Sequence, residues 1–203
     1  MNKIVFATHN KNKVAELTSM LPAKSWSVQA ASDFPELEDV EETGNSFAEN
    51  ALLKARYVTK MLGQIAIADD SGLTVEYLKG APGIYSARYA GETKNDQANN
   101  KKLIKALVGI ENRVAAFCCA IAITYPNGKE FVVEGSCPGI IGLEARGNNG
   151  FGYDPLFYLP EMGKTMAELT MEEKNKISHR AKAFSLALKV LQREEEIVKL
   201  HRL

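Results

Sequence analysis

Asp69 and Asp70 close an apolar segment, Ile65-Ala66-Ile67-Ala68. If that segment is a strand, adjacent side chains point to opposite faces, so one carboxylate can enter a site while the other meets structure or solvent. A carboxylate placed in this way can deprotonate a water or hold a hard cation. Glu41 and Glu42 precede a long helical pattern and could join Asp70 around magnesium, which takes one or two carboxylates and fills its octahedron with waters and phosphate oxygens. Their other reading is that of ordinary solvated loop charges.

The hexapeptide Thr8-His9-Asn10-Lys11-Asn12-Lys13 lies between a first strand and a first helix. Backbone N–H groups, the positive end of the helix and two lysines converge there, which suits an anion; a polar turn that caps the helix reads equally well. No Walker A motif supports a phosphate loop elsewhere, because Tyr158 stands where the first glycine would precede Gly163-Lys164-Thr165. Near the C-terminus, Phe151-Gly152-Tyr153-Asp154-Pro155 sets two aromatics in a glycine-rich loop, a composition suited to stacking on a flat ring. Lys174 and Ser178-His179-Arg180 cluster at a helix start, where His and Arg donors could read carbonyl oxygens.

The elements that must position these groups follow from periodicity. Ile4 to Ala7 reads as a short buried strand and Lys13 to Leu21 as a helix, with Val14, Leu17 and Leu21 at helical spacing. Val28 to Ala30 is a weak second strand. Ser46-Phe47-Ala48-Glu49 fits a capping box that opens a helix from Phe47 to about Leu62, stopped by Gly63. Ile65 to Ala68 is expected as a strand ending in Asp69-Asp70-Ser71-Gly72. Asn95 to Leu107 is expected as a helix. Arg113 to Tyr125 and Lys129 to Cys137 flank Pro126-Asn127-Gly128, a hairpin signal, and Gly139 to Leu143 adds a third strand. Thr170-Met171-Glu172-Glu173 is a second capping box, and Phe184, Ala187, Leu188 and Leu191 form the apolar stripe of a C-terminal helix from about Ser178. The order implies an α/β domain with a mixed sheet spanning residues 1–203, with no linker to a second independent domain.

Composition narrows the function classes. Among 203 residues, 25 basic side chains balance 25 acidic ones, so no global field recruits nucleic acid or an anionic membrane, and anion binding must be local. The longest apolar run, Val114 to Ile123, is about half of the ~20 residues that cross a bilayer and reads as a buried strand. No secretory signal precedes Ile4, so the protein is expected in the cytoplasm. Cys118, Cys119 and Cys137 cannot all pair and read as reduced core residues.

Thr8-His9-Asn10 with Lys13, Glu41-Glu42-Thr43-Gly44, Asp69-Asp70-Ser71-Gly72, Gly80-Ala81-Pro82-Gly83-Ile84-Tyr85-Ser86-Ala87-Arg88, Phe151-Gly152-Tyr153-Asp154 and Ile177-Ser178-His179-Arg180 occur in this order. Together they resemble the inosine/xanthosine triphosphate pyrophosphatases of the Ham1 family, over essentially the whole chain. The resemblance implies a long mixed twisted sheet with flanking helices, two lobes around an active-site cleft, a homodimer, and magnesium as cofactor. It implies hydrolysis of ITP, dITP and XTP to monophosphate and pyrophosphate, which keeps deaminated purines out of nucleic acids. By the same resemblance Thr8, His9, Asn10, Lys11, Asn12, Lys13 and Lys174 hold the triphosphate. Asp70 is implied as proton acceptor and metal ligand, Glu41 as second ligand with Glu42 as the alternative, and Asp69 as their support. Ser71, Phe151, Gly152, Tyr153, Asp154, His179 and Arg180 are implied to bind the nucleotide.

Overall fold

The computed structural model describes residues 2–20 and 26–200, without the side chains of residues 2, 11, 12, 198 and 199. Its strands are β1 Asn2–Phe6, β2 Trp26–Ala30, β3 Ile65–Val75, β4 Val114–Thr124, β5 Glu130–Ile141, β6 Phe157–Leu159 and β7 Lys164–Thr165. The helices are α1 Lys11–Ser19, α2 Phe47–Leu62, α3 Asp96–Ala106, α4 Met171–Ile177 and α5 His179–Leu200, with 3-10 turns at Ala31–Asp33, Gly83–Arg88 and Met166–Glu168. Leu21, expected as the last apolar position of the first helix, lies outside the described residues.

All seven strands join one mixed sheet in the order β2-β1-β3-β4-β5-β6-β7. β1 runs parallel to β2 and β3, with Ile4 opposite Ile65 and Phe6 opposite Ile67, while β5, β6 and β7 alternate direction. The expected α/β class with a mixed sheet is therefore what forms. β4 and β5 are joined through Pro126-Asn127-Gly128, where the Tyr125 N–H donates to Lys129 O at 2.9 Å and Gly128 takes φ +86°.

α2 shows how local chemistry sets an element. Ser46 Oγ accepts from the Glu49 N–H at 3.1 Å, and Gly63 closes the helix in the left-handed region at φ +62°, which costs a glycine nothing. The expected capping box is half made, since Glu49 Oε2 accepts from the Asn45 N–H at 2.7 Å, one residue ahead of the N-cap. Ala51, Ala55 and Val58 recur on the inward face, and their small side chains let the helix lie close on Val5, Ala66 and Ala68. At α4 the Thr170–Glu173 box is complete.

Two expectations about strands are corrected. β3 does not stop at Ala68 but runs on through Asp69 and Asp70 to Val75, because both carboxylates find partners inside the fold and Leu73 and Val75 are buried. Gly139 to Ile141 is no separate third strand; it is the end of β5, paired with β6.

The chain divides into two compact units, residues 1–70, 119–135 and 180–203 in the first and residues 71–118 and 136–179 in the second. The first has a core on each face of its strands. Ile4, Phe6, Ile67, Ile121, Phe184 and Leu191 fill one, and Val5, Ala51, Ala55, Ala66 and Ala122 fill the other. The second unit is built on Leu73, Leu103, Phe117, Ile141, Phe157 and Met166. Cys119 and Cys137 are buried, and burial pushes Cys119 up to about 12, as suits a core residue. Among the described residues no helix is long and apolar enough to cross a membrane.

Candidate active site

In β3 the alternation of side chains decides the site. Ile67 faces the core shared with α5, and Ala66 and Ala68 face α2. The same period carries Asp69 to the α5 side and Asp70 to the α2 side. Asp69 Oδ2 lies 3.0 Å from Lys13 Nζ and 3.3 Å from Arg180 Nε, and Arg180 Nη1 pairs in turn with Glu16. Arg180 is brought there because it sits one turn ahead of Phe184 on the stripe that continues through Ala187 and Leu191.

Asp70 meets α2 instead. Asn50 Nδ2 donates to its Oδ2 at 3.1 Å, and Lys54 Nζ lies 3.7 Å from its Oδ1 and 2.7 Å from Glu42 Oε1. Asn50 and Lys54 are four residues apart on one helix face, so both reach the same carboxylate. Asn50 Oδ1 also accepts from the Gly44 N–H at 2.8 Å, which ties the acidic loop to the helix.

These environments push two adjacent carboxylates apart. Burial alone would raise Asp69, but the charges of Lys13, Arg180 and Lys54 outweigh it and hold the group well below the usual carboxylate range. Asp70 moves the other way. Its burial dominates, Lys54 opposes it and Glu42 adds to it, so the carboxyl is raised. A raised, hydrogen-bonded carboxylate is suited to accept a proton, and a depressed one to hold cations in place.

In the Thr8–Lys13 segment, Thr8 Oγ1 accepts from the Asn10 N–H at 3.2 Å and Asn10 Oδ1 from the Lys13 N–H at 3.3 Å, the bonds of a turn that caps α1. His9 Nδ1 lies 2.7 Å from Asp39 Oδ1 on the surface. The side chains of Lys11 and Asn12 lie outside those described. Glu41 is exposed, and its neighbour Glu42 is the residue on Lys54 beside Asp70.

In the second unit, Lys174 Nζ is buried 2.9 Å from Asp154 Oδ2 and stands 5.1 Å from the centre of the Phe151 ring. The same Asp154 oxygen accepts from the Phe151 N–H at 3.0 Å, so one carboxylate folds the loop and anchors the lysine. Tyr153 OH donates to Ser86 O at 2.8 Å. His179 is buried and stacked on Phe117, ring centres 4.9 Å apart. Ser71 is half-buried.

Sequence reasoning missed Glu16, Asn50 and Lys54. The Asn50–Lys54 spacing on α2 was a usable signal, because an asparagine beside the buried Ala51 must find a polar partner. Nothing local marks Glu16, whose partner lies 164 residues away.

The model of the Ham1 family matches residues 4–190. A dITP/XTP pyrophosphatase of Desulforamulus reducens is 53% identical over 193 residues, which cover 94% of this chain and 96% of that protein. The dITP/XTP pyrophosphatase of Geobacillus kaustophilus is 52% identical over 200 residues, 98% of this chain and 97% of the relative. Among solved structures, the Staphylococcus aureus Ham1 protein superposes with a TM-score of 0.87 at 44% identity, over 95% of this chain and all of that one.

Proposed function

The chain belongs to the Ham1 family, and from that premise we propose that it is a nucleoside triphosphate pyrophosphatase acting on dITP, XTP and ITP. It cleaves the α–β phosphoanhydride bond and yields the monophosphate and pyrophosphate. The observation that carries this reading is the split pair on β3, with Asp69 bound to Lys13 and Arg180 and Asp70 raised beside Asn50 and Lys54. A protein that only bound nucleotides would have no use for a proton acceptor of this kind.

A hard cation fits the donors that unit one supplies. Asp70 and the acidic pair Glu41–Glu42 offer carboxylate oxygens, and Glu42 and Asp70 lie around one lysine ammonium, that of Lys54, at 2.7 and 3.7 Å. Magnesium takes one or two carboxylates and completes its shell from water and phosphate. Among the described residues no group of three or more His, Cys, Asp or Glu could hold a metal by itself. In this proposal Asp70 and Glu41 hold magnesium, which when bound neutralises phosphate charge.

The rest is the work of side chains. Asp70 orients the attacking water and takes its proton, helped by the Asn50 hydrogen bond that fixes its carboxylate. Thr8 to Lys13, together with Lys174, bear the triphosphate; hydrolysis of this bond needs little beyond charge stabilisation and in-line placement. Ser71, Phe151 to Asp154, His179 and Arg180 bind the nucleotide. Base choice rests on donors that suit a 6-oxo group and meet the amino group of adenine donor to donor, a mismatch of about 1 to 3 kcal/mol for each group left unsatisfied. For Arg180 a second reading has a specific observation behind it. Its contacts with Asp69 and Glu16 favour a role in holding Asp69. The protein is further proposed to work as a cytoplasmic homodimer, the whole chain acting as one domain.

A panel of dITP, XTP and ITP against the four standard deoxynucleotides, read by pyrophosphate release, tests the reading. A kcat/KM preference of about a hundredfold for the deaminated purines over dATP is expected from two mismatched groups. Binding without pyrophosphate release, or equal turnover of dGTP, overturns it.

A further inference from the structure

The aromatic loop of the second unit is held from outside by a helix to which neither the sequence motifs nor the proposed function gives a part. Gly152 sits between Phe151 and Tyr153, and side chains of α3 take both of its backbone polar groups. Its N–H donates to Asp96 Oδ2 at 2.7 Å, and its carbonyl accepts from Asn100 Nδ2 at 3.0 Å. Asp96 and Asn100 are four residues apart, so they project from one face of α3 as a two-pronged clamp. Gly152 adopts φ +63°, a region other residues enter only under strain, and the clamp holds it there.

The peptide on each side of Gly152 is thereby fixed in orientation. One leads to Phe151, whose ring is half-buried under the Lys174 ammonium, and the other to Tyr153, whose hydroxyl is bound to Ser86 O. The neighbouring α3 residue Asn99 secures that same turn, since its Nδ2 donates to Ala87 O at 3.1 Å and its Oδ1 accepts from the Ala90 N–H at 2.7 Å. Consecutive residues of one helix thus hold the loop and the turn beneath it.

We infer that Asp96 and Asn100 are positioning residues for base selection, clamping Gly152 so that Phe151 and Tyr153 are held in the geometry that receives a flat purine. This rests on the reading that residues 151–154 bind the nucleotide. A ring that must stack on a base loses affinity when its backbone can rotate, because the loop must then be ordered at each binding event. The phosphates are proposed to be borne chiefly by Thr8 to Lys13, and Lys174 is anchored by Asp154, which the clamp on Gly152 does not touch, so a ligand without a base should respond less to the clamp than the nucleotide does.

The test uses the full-length protein with dITP as substrate and inorganic tripolyphosphate as a base-free competitive inhibitor. Asp96→Ala and Asn100→Ala are each expected to raise KM for dITP about three- to tenfold, the worth of one net hydrogen bond, with kcat and the tripolyphosphate inhibition constant changed less than about twofold. Asp96→Asn, whose amide oxygen can still accept from Gly152, is expected to recover most of the loss. In a Phe151→Leu background the α3 substitutions should add little, since they act through that ring. If the α3 variants weaken tripolyphosphate as much as dITP, the clamp is merely structural and the inference fails. If Phe151→Leu raises KM while the α3 variants do not, the inference fails and the loop reading stands. If Phe151→Leu itself leaves KM unchanged, the loop does not read the base and both fall.

Discussion

Lys13 Nζ stands 3.0 Å from Oδ2 of Asp69, a carboxylate with no exposed side-chain surface. The same oxygen receives Arg180 Nε, so a single buried acceptor on β3 holds cations from α1 and α5. Removing its charge leaves two cations facing each other with no anion between them. Asp69→Asn is therefore expected to lower stability by about 3 to 5 kcal/mol, the usual cost of breaking a buried ion pair from one side. Urea unfolding measures this, and a loss below about 1 kcal/mol would show that Asp69 does not organise these elements.

Asp70→Asn is expected to behave in the opposite way. Burial already raises this carboxyl, and asparagine is nearly isosteric, so the fold should keep its stability while turnover falls to background. If activity above about a tenth of the original survives at saturating magnesium, Asp70 is not the proton acceptor.

Hydrolysis in heavy-oxygen water locates the attack. With pyrophosphate as leaving group the water adds to the α-phosphorus, and the label is expected in the monophosphate alone. Mass spectrometry showing label in pyrophosphate would move the nucleophile to the β-phosphorus and away from the geometry proposed for Asp70.

Metal dependence separates the two adjacent glutamates. Chelation should stop turnover and magnesium restore it. Glu41→Gln is expected to raise the magnesium concentration for half-maximal rate about tenfold, whereas Glu42→Gln, which gives up the charge facing Lys54 but keeps an oxygen to accept from it, should shift it less. The reverse order would hand the ligand role to Glu42.

Lys13→Ala and Arg180→Ala distinguish phosphate from base. Lys13 is proposed to face a group common to all triphosphates, so kcat/KM for ITP and ATP should fall by similar factors. If Arg180 donates to the 6-oxo group, Arg180→Ala should weaken ITP about ten- to a hundredfold more than ATP, the worth of one charge-assisted hydrogen bond. Equal losses would leave Arg180 with Asp69 and Glu16 and no part in choosing the base.

Signals that act over a few residues were legible in the chain. Ser46 and Gly63 bound α2 at Phe47–Leu62, Asn95 caps α3, and Asn127-Gly128 turns β4 into β5, because caps and tight turns are satisfied by atoms close in sequence. β6, β7 and the 3-10 turns were not legible, since strands of two or three residues exist only against a partner edge. The run Asp69-Asp70 looked like the end of a strand for a related reason. Locally two carboxylates signal solvent, and only the fold reveals the lysines and arginine that let them be buried.

The sequence by itself determined that Asp69 and Asp70 would face opposite ways, because the strand period of two follows from backbone geometry alone. The tertiary structure decided what each would meet. Arg180 lies 111 residues from Asp69 along the chain and Glu16 lies 164 from Arg180, so no window of sequence contains the charges that depress one carboxyl. Asn50 and Lys54 reach Asp70 only once α2 has packed its alanine face on the sheet. Charge interactions depend on separation in space and on burial, and both come into being only when the chain has folded.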